Sequence, residues 1–522
     1  MAASESLDFP VLTCSPAENN FISIKLQRAP TFSRVIDRVM KEGNEYGHQR
    51  TRRDKTVLLN VPETPKREKE DDGVGLSSLR QRLLAQHVSL LLEANGYNIH
   101  QGHNVNTGMS SSTVSKILGD IIPEGSLGIG SRETTERDLP PGYLEELSTS
   151  KYVSSVACQT DEERYHQQSP DQCHLHPSQD GLPKQCSVDL AGVLKHQRLR
   201  IGKGGYSKNM TEVQLTDTRG VASPVLKQCV NLKNAIEEMK SSDNPHILHA
   251  LPASQEFLQQ QVDLTMRALS QDGHCSDHSH LCCAPVQLTG ASQSSGGKRQ
   301  GKEMDVEEFY DIRYSQMREA SVMKYGDQVK GDSWNDMIHS VTAAGIKFDI
   351  LGTHFRHPVK LDVGERNESN PWPDNRNGVF VMYNYARLST LFTRFQEEVH
   401  KGTYPALPPV EDTDFSTLKE EAEWKLLFSH ILTLPDVILE SVGERVTTPQ
   451  ELACKFETHK ICRYLVSLSQ DLSTYYGRFR ILVEPRPHLL PTMFARIYLL
   501  KAVHQVLGNG LALLKITPLT QM

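Results

Sequence analysis

The chain has 522 residues, enough for two or three domains that each bury a core. A formal net charge of −7 excludes a globally basic nucleic-acid binder, so any such site must be a local patch on a mildly acidic body. Hydrophobic residues make up 38% and the mean hydropathy is −0.46, low for a wholly compact chain, so part of it is expected to be poorly ordered. No apolar run approaches the roughly 20 residues that span a bilayer, and the N-terminal stretch lacks a basic run followed by an apolar core. Neither a membrane partner nor a secretory leader is expected. Ten cysteines then read as reduced thiols in the cytoplasm or nucleus.

Residues 1–50 hold an alternating stretch, Phe21–Leu26, and an amphipathic run through Phe32, Val35, Ile36 and Val39. An α/β region is expected over 51–300. It opens with the strand VLLNV, followed by a long helix through Leu79, Leu83, Leu84, Val88, Leu91 and Leu92 that stops at Asn95-Gly96. The stretch from about 123 to 209 is rich in Ser, Gln, Pro, Asp and His with little sustained period, and reads as mostly insertion or linker. From Pro245 the strand HILHAL, the helix SQEFLQQQVDLTMRAL and the strand HLCCAPVQL restore an αβ alternation. The Gly/Ser/Lys break GASQSSGGKRQGK closes the region.

Beyond it the chain is almost all helix. Runs at Val306–Tyr325 and Ser333–Leu351 form a connector over 301–373. Those at Phe380–Val399, Glu420–Leu432, Pro449–Phe479 and Thr492–Leu507 form a bundle over 374–522. Ile461, Leu465, Leu468, Leu472, Tyr475 and Phe479 fall at spacings of three and four, the stripe of a bundle core. Two Cys/His groups, Cys173-His174-x-His176 with Cys186 and the run His274–Cys283, lack a paired C-x-x-C with a matching second half. No metal is expected. The loop Gly202-Lys203-Gly204-Gly205 after Arg198 and Arg200 reads as a flexible turn that could touch phosphate through backbone N–H groups. Residues 154–162 read as linker, with strand addition to a partner the alternative.

Several segments align in order with arginyl-tRNA synthetases over roughly residues 20–110 and 245–522. NGVFVMYNYARLSTLF resembles the start of that family's DALR-type anticodon domain, placing Tyr383, Asn384, Ala386 and Arg387 on a Tyr-x-x-Ala-Arg pattern. HKICRYLVSLSQDLSTYYGRFRIL resembles a second segment, with Arg463, Tyr464, Tyr476 and Arg480 in register. The ending LLKAVHQVLGNGLALLKITPLTQM resembles the final helix, its Asn-Gly stop and its terminal methionine, Met522. AAGIKFDILGT resembles the helix before that domain, with Lys347 at an arginine position.

The resemblance implies a class I synthetase-like Rossmann body followed by an all-α anticodon-binding bundle. It also implies that Tyr383, Asn384, Arg387, Arg463, Tyr476, Arg480 and Met522 hold the anticodon arm. Loop bases can lie on Tyr rings and guanidinium planes at about 1–3 kcal/mol per stack. Lys455, Lys460, Arg478, Arg496 and Lys501 can neutralise phosphates. The bland alternative is that the tyrosines are core and the arginines a solvated face, and Tyr464 and Tyr475 are better suited to packing.

The catalytic half departs from the pattern. Anchored on LEANGY and Leu79-Arg80, the family's His-x-Gly-His slot falls on Gly75-Leu76-Ser77-Ser78, with neither histidine. Losing one transition-state donor costs about 2.7–4 kcal/mol, so two should abolish adenylation. The mobile Lys-rich loop corresponds to residues 295–302 and lacks its Met-Ser core. The resemblance extends to a non-enzymatic, vertebrate-type branch of the family through EPRPHL at Glu484–Leu489. That likeness implies an adaptor, with no cofactor, that binds particular arginine tRNAs and recruits a methyltransferase making 3-methylcytidine in the anticodon loop. A divergent aminoacylating enzyme and a protein-only helical scaffold remain as alternatives.

Overall fold

The computed structural model describes residues 9–16, 21–49, 55–62, 75–101, 113, 117, 146–155 except 148, 185–218, 221–239, 245–270, 276–289, 304–326, 329–363, 377–443 and 452–521. Strands β1 (Val11–Pro16) and β2 (Ile22–Leu26) form an antiparallel ribbon ahead of helix α1 (Arg28–Glu42). The apolar stripe of α1, with Phe32, Val35, Ile36 and Val39, is buried in the main core.

The α/β body is built on β3 (Thr56–Asn60), α2 (Leu76–Ala94), β4 (Asn98–Gln101), β8 (His246–Pro252), α5 (Glu256–Leu269) and β9 (His278–Cys283). Its four strands run parallel in the order β4-β3-β8-β9. β3 is central and buried at four of its five positions, which suits its unbroken apolar run. As expected, α2 stops at Asn95-Gly96: Asn95 caps its end, and Gly96 turns the chain with φ of 84°.

Between β4 and β8 lies a smaller layer. β5 (Val153–Ser155), β6 (Cys186–Asp189) and β7 (Glu212–Gln214) pair antiparallel, with α3 (Leu190–His196) and α4 (Pro224–Glu238) beside them. Val188, Leu190, Val193, Leu226 and Val230 bury a second core there, which Val262 and Leu269 of α5 close. Residues 186–209, expected from sequence to be mostly insertion or linker with little order, are an insertion built into this layer. Their elements are too short for a period to show, and tertiary burial holds them instead.

β10 (Val286–Thr289) pairs parallel with β11 (Val359–Asp362), flanking α6 (Val306–Tyr325) and α7 (Asp332–Leu351). The bundle follows: α8 (Asn377–His400), α9 (Glu421–Leu426) running into a π turn, α10 (Leu434–Val442), α11 (Lys460–Arg478) and α12 (Leu490–Leu513). Two helix ends differ from expectation. α11 starts at Lys460 because residues before it run extended along the sheet edge. There His280 N donates to Leu452 O at 2.7 Å and Cys454 N to His280 O at 3.1 Å. α12 continues through Asn509-Gly510 to Leu513. A Cβ at residue 510 would sit 2.6 Å from Leu465 Cδ2, so this glycine serves helix contact and does not stop the helix.

Body and bundle share one core, and polar groups tie them. The buried His87 imidazole bonds Leu513 O at 2.7 Å and Thr458 O at 2.9 Å. Asn509 Nδ2 donates to Gly43 O and Tyr46 O, and Lys347 Nζ to Lys515 O.

Candidate nucleic-acid interface

α8 and the C-terminal end of α11 enclose a cleft of about 780 Å³. From α8 come Tyr383, Arg387 and Arg394, at spacings of four and seven that keep them on one face. From α11 and the turn after it come Tyr476, Arg478, Phe479 and Arg480. Four arginines line the cleft and no carboxylate does, against the acidic balance of the chain. The Arg387 guanidinium carbon lies 3.8 Å from the centroid of the half-buried Tyr476 ring, a cation–π stack that fixes both planes. Tyr383 is 38% exposed, with Lys324 Nζ 5.3 Å from its ring centre.

A buried carboxylate holds the cleft wall. Glu423, fully buried, accepts from Arg496 Nε at 2.9 Å and from Tyr475 OH at 3.2 Å. The Arg496 guanidinium lies 4.9 Å from the Phe479 ring centre. Burial, with Glu423 beside it, holds the Tyr475 hydroxyl well above the ordinary tyrosine range, so it stays a neutral donor. Behind α8, His504 stacks on Tyr385 at 3.9 Å and meets Ser389 Oγ at 2.9 Å; burial pushes it down to about 4. It is neutral at pH 7.

Of the residues expected to bind, Tyr383, Arg387, Tyr476 and Arg480 meet in this cleft. Asn384 does not. It is fully buried, and its Nδ2 donates to Phe380 O at 2.9 Å, so it shapes α8 and cannot reach a nucleotide. Arg463 is exposed on the first turn of α11, 13 residues before Tyr476, which is roughly 20 Å along the axis and well round the helix. Met522 lies outside the described residues, as do residues 295–302. Arg496 and Lys460 are engaged in ion pairs, with Glu423 and Glu440, both at 2.9 Å or less. Tyr464 and Tyr475 are buried, as their positions on the stripe predicted. Sequence reasoning missed Arg394, although its spacing from Arg387 marks the same helix face.

In the α/β body, Gly75 to Ser78 opens α2 just beyond β3. Open α/β sheets bind ligands outside the strand ends where the order reverses, here between β3 and β8. Gln81 bridges that crevice. Its buried Nε2 donates to Pro62 O and Ala250 O, both at 2.9 Å. Arg80, also buried, donates to the carbonyls of Ala284 and His354. No cluster of three or more His, Cys, Asp or Glu able to hold a metal occurs among the described residues. Residues 173–176, 274 and 275 lie outside them.

A family model described as the DALR anticodon binding domain matches residues 381–522, the segment that contains every cleft residue named above. The protein named DALR anticodon-binding domain-containing protein 3 from Danio rerio is 31% identical over 468 residues, covering 89% of this chain and 77% of its own length. The chain belongs to the DALR anticodon-binding domain-containing protein 3 family. The Mus musculus member is 28% identical over 527 residues, covering 98% of this chain and 86% of its own. In fold, the chain is similar to Thermus thermophilus arginyl-tRNA synthetase, with a TM-score of 0.60 at 14% identity over 100% of this chain and 91% of that one. The synthetase-like Rossmann body and C-terminal helical domain expected from sequence are thus the fold of this family member. Among the described residues no helix is long and apolar enough to cross a membrane.

Proposed function

We propose that this protein is a non-catalytic adaptor that grips arginine tRNAs by the anticodon arm. It presents them to a tRNA methyltransferase that forms 3-methylcytidine in the anticodon loop. The cleft carries the reading. Its tyrosines offer faces for unstacked bases, its four arginines neutralise backbone phosphates, and no carboxylate opposes them. Pre-stacking of Arg387 on Tyr476 lowers the ordering cost of binding.

The body supports the absence of catalysis. The slot Gly75-Leu76-Ser77-Ser78 offers no imidazole to a developing phosphate charge, and Gln81 occupies the crevice at the strand ends. The methyltransferase step rests on the likeness to the non-enzymatic branch. Its physical basis would be effective concentration, with the target base delivered to a second protein already oriented.

Sequencing the RNAs that co-purify with the protein tests the first part: arginine tRNAs should dominate, and broad or absent enrichment sinks it. Pyrophosphate exchange with arginine, ATP and tRNA should stay at background. Methylation of an arginine tRNA by the partner enzyme should rise when the protein is added, and not rise with a cleft variant.

A further inference from the structure

We infer that a second basic surface, on the small layer inserted in the α/β body, holds the phosphate backbone of the same RNA outside its anticodon hairpin. From Leu190 to Thr211 the chain has no Asp or Glu, yet it carries Lys195, Arg198, Arg200, Lys203 and Lys208. The carboxylates at either end are used: Asp189 accepts from Gly192 N at 2.9 Å and Glu212 accepts from Ser187 Oγ. Lys195, Arg198, Lys203 and Lys208 are exposed and form no ion pair among the described residues. Lys195, Arg198 and Lys208 rim a shallow depression of about 400 Å³ floored by Leu194, Leu199 and Ile201.

The loop that bears these charges is built, not slack. Gly202 and Gly204 have φ of 92° and 78°, and a Cβ on Gly205 would lie 2.1 Å from Arg200 O. Tyr206 N donates to Arg200 O and Gly202 N to Tyr206 O, each at 2.9 Å. Tyr206 OH reaches Asp263, and Ser207 N donates to Gln260 Oε1 at 2.8 Å, anchoring the turn on α5. Cations held on a rigid turn lose less entropy on meeting phosphates than cations on a mobile tail.

Leu452 N donates to Gly204 O at 3.0 Å, so the turn is pinned to the extended segment that leads into α11. That segment and α11 up to Tyr476 together reach about 50 Å at most. One folded RNA can therefore touch both sites. The surface has no exposed aromatic for a base among the lining residues, which suits backbone contact. A polyanion already held at the cleft meets the second patch at high local concentration, so even modest charge there adds affinity; a free acidic peptide would have no such help.

The inference rests on the tRNA-binding reading, and the test separates the two. The full chain is titrated with a full-length arginine tRNA and with its isolated anticodon stem-loop, at several salt concentrations. The variant Lys195→Gln/Arg198→Asn/Lys203→Gln/Lys208→Gln is compared with wild type; asparagine tolerates the left-handed backbone at 198, where φ is 53°. The variant should lose about tenfold or more in affinity for the full tRNA, with the slope of log K against log salt shallower by about 3. Its affinity for the stem-loop should not change. Unchanged affinity and slope for the full tRNA overturn the inference and leave the cleft standing, as does an equal loss on the stem-loop. Failure of wild type to bind either RNA overturns both readings.

Discussion

Arg387 and Tyr476 sit face to face, one from each wall of the cleft, and their replacement separates base stacking from simple charge. Tyr476→Ala should weaken tRNA binding by about 1–3 kcal/mol, a loss of roughly 5- to 150-fold in filter binding. Arg463→Glu, placed on another face of α11, should change it by less than about twofold. If the two variants reversed rank, the cleft would not be the RNA site. Glu423 makes a different point. It is buried between Arg496 and Tyr475, and removing one member of a buried pair strands the other's charge. Glu423→Ala should therefore cost about 3–5 kcal/mol in urea unfolding, where Glu421→Ala, on the exposed ring of the same helix, should cost little.

At the level of helices, the contact between α11 and α12 depends on residue 510. Gly510→Ala would push a methyl group against Leu465, and overpacking of this kind costs about 1–3 kcal/mol. A lower melting temperature with an unshifted circular-dichroism spectrum at 20 °C is the expected result; an unchanged melting point would show that the helices can part cheaply. The same residue shows what was legible in the chain. The long helices α6 and α7 were readable almost to their ends because helix-favouring residues run through them, although burial is confined to the first turns of α6 and to α7 from Ile338 onward. Asn509-Gly510 looked like a stop because a glycine's local propensity is visible in sequence, whereas its neighbour across the interface is not. The start of α11 failed for the same reason: the pull on residues 452–454 comes from His280, far away in sequence. Among the candidate residues, Arg387, Tyr476, Tyr383 and Arg480, which meet in one cleft, were singled out because a family pattern marked them. Asn384 shared that pattern but faces inward, a distinction that a rotation of about 100° along one helix makes.

Across the whole molecule, buried histidines set the response to acid. Desolvation lowers His246, His280 and His504 to about 4, and holds His249 and His278 well below the usual value. The unfolded chain, with its imidazoles near 6.5, then binds more protons than the folded one between those values. These imidazoles should leave stability level above about pH 6.5 and lower it as pH drops toward about 4, as read by the urea midpoint at pH 7 and pH 5. The buried Lys347 amine, lowered to about 7, adds a separate fall from about pH 10.5 toward pH 7. His280 offers no hydrogen bond from either ring nitrogen in its buried setting. His280→Leu should flatten the fall below about pH 6.5 without lowering stability at pH 7; an unchanged fall would mean that His280 is not held below its usual value in the folded chain.

The carbonyls of Thr458, Leu513 and Lys515 belong to the C-terminal segment, yet the side chains that meet them, His87 and Lys347, come from helices upstream of residue 381. Excising 381–522 for separate expression would strip those polar partners away and lay bare an apolar flank that α2 and α7 normally cover. Such a fragment should elute as aggregate, so what homology delimits as a module is, in this protein, one lobe of an indivisible body.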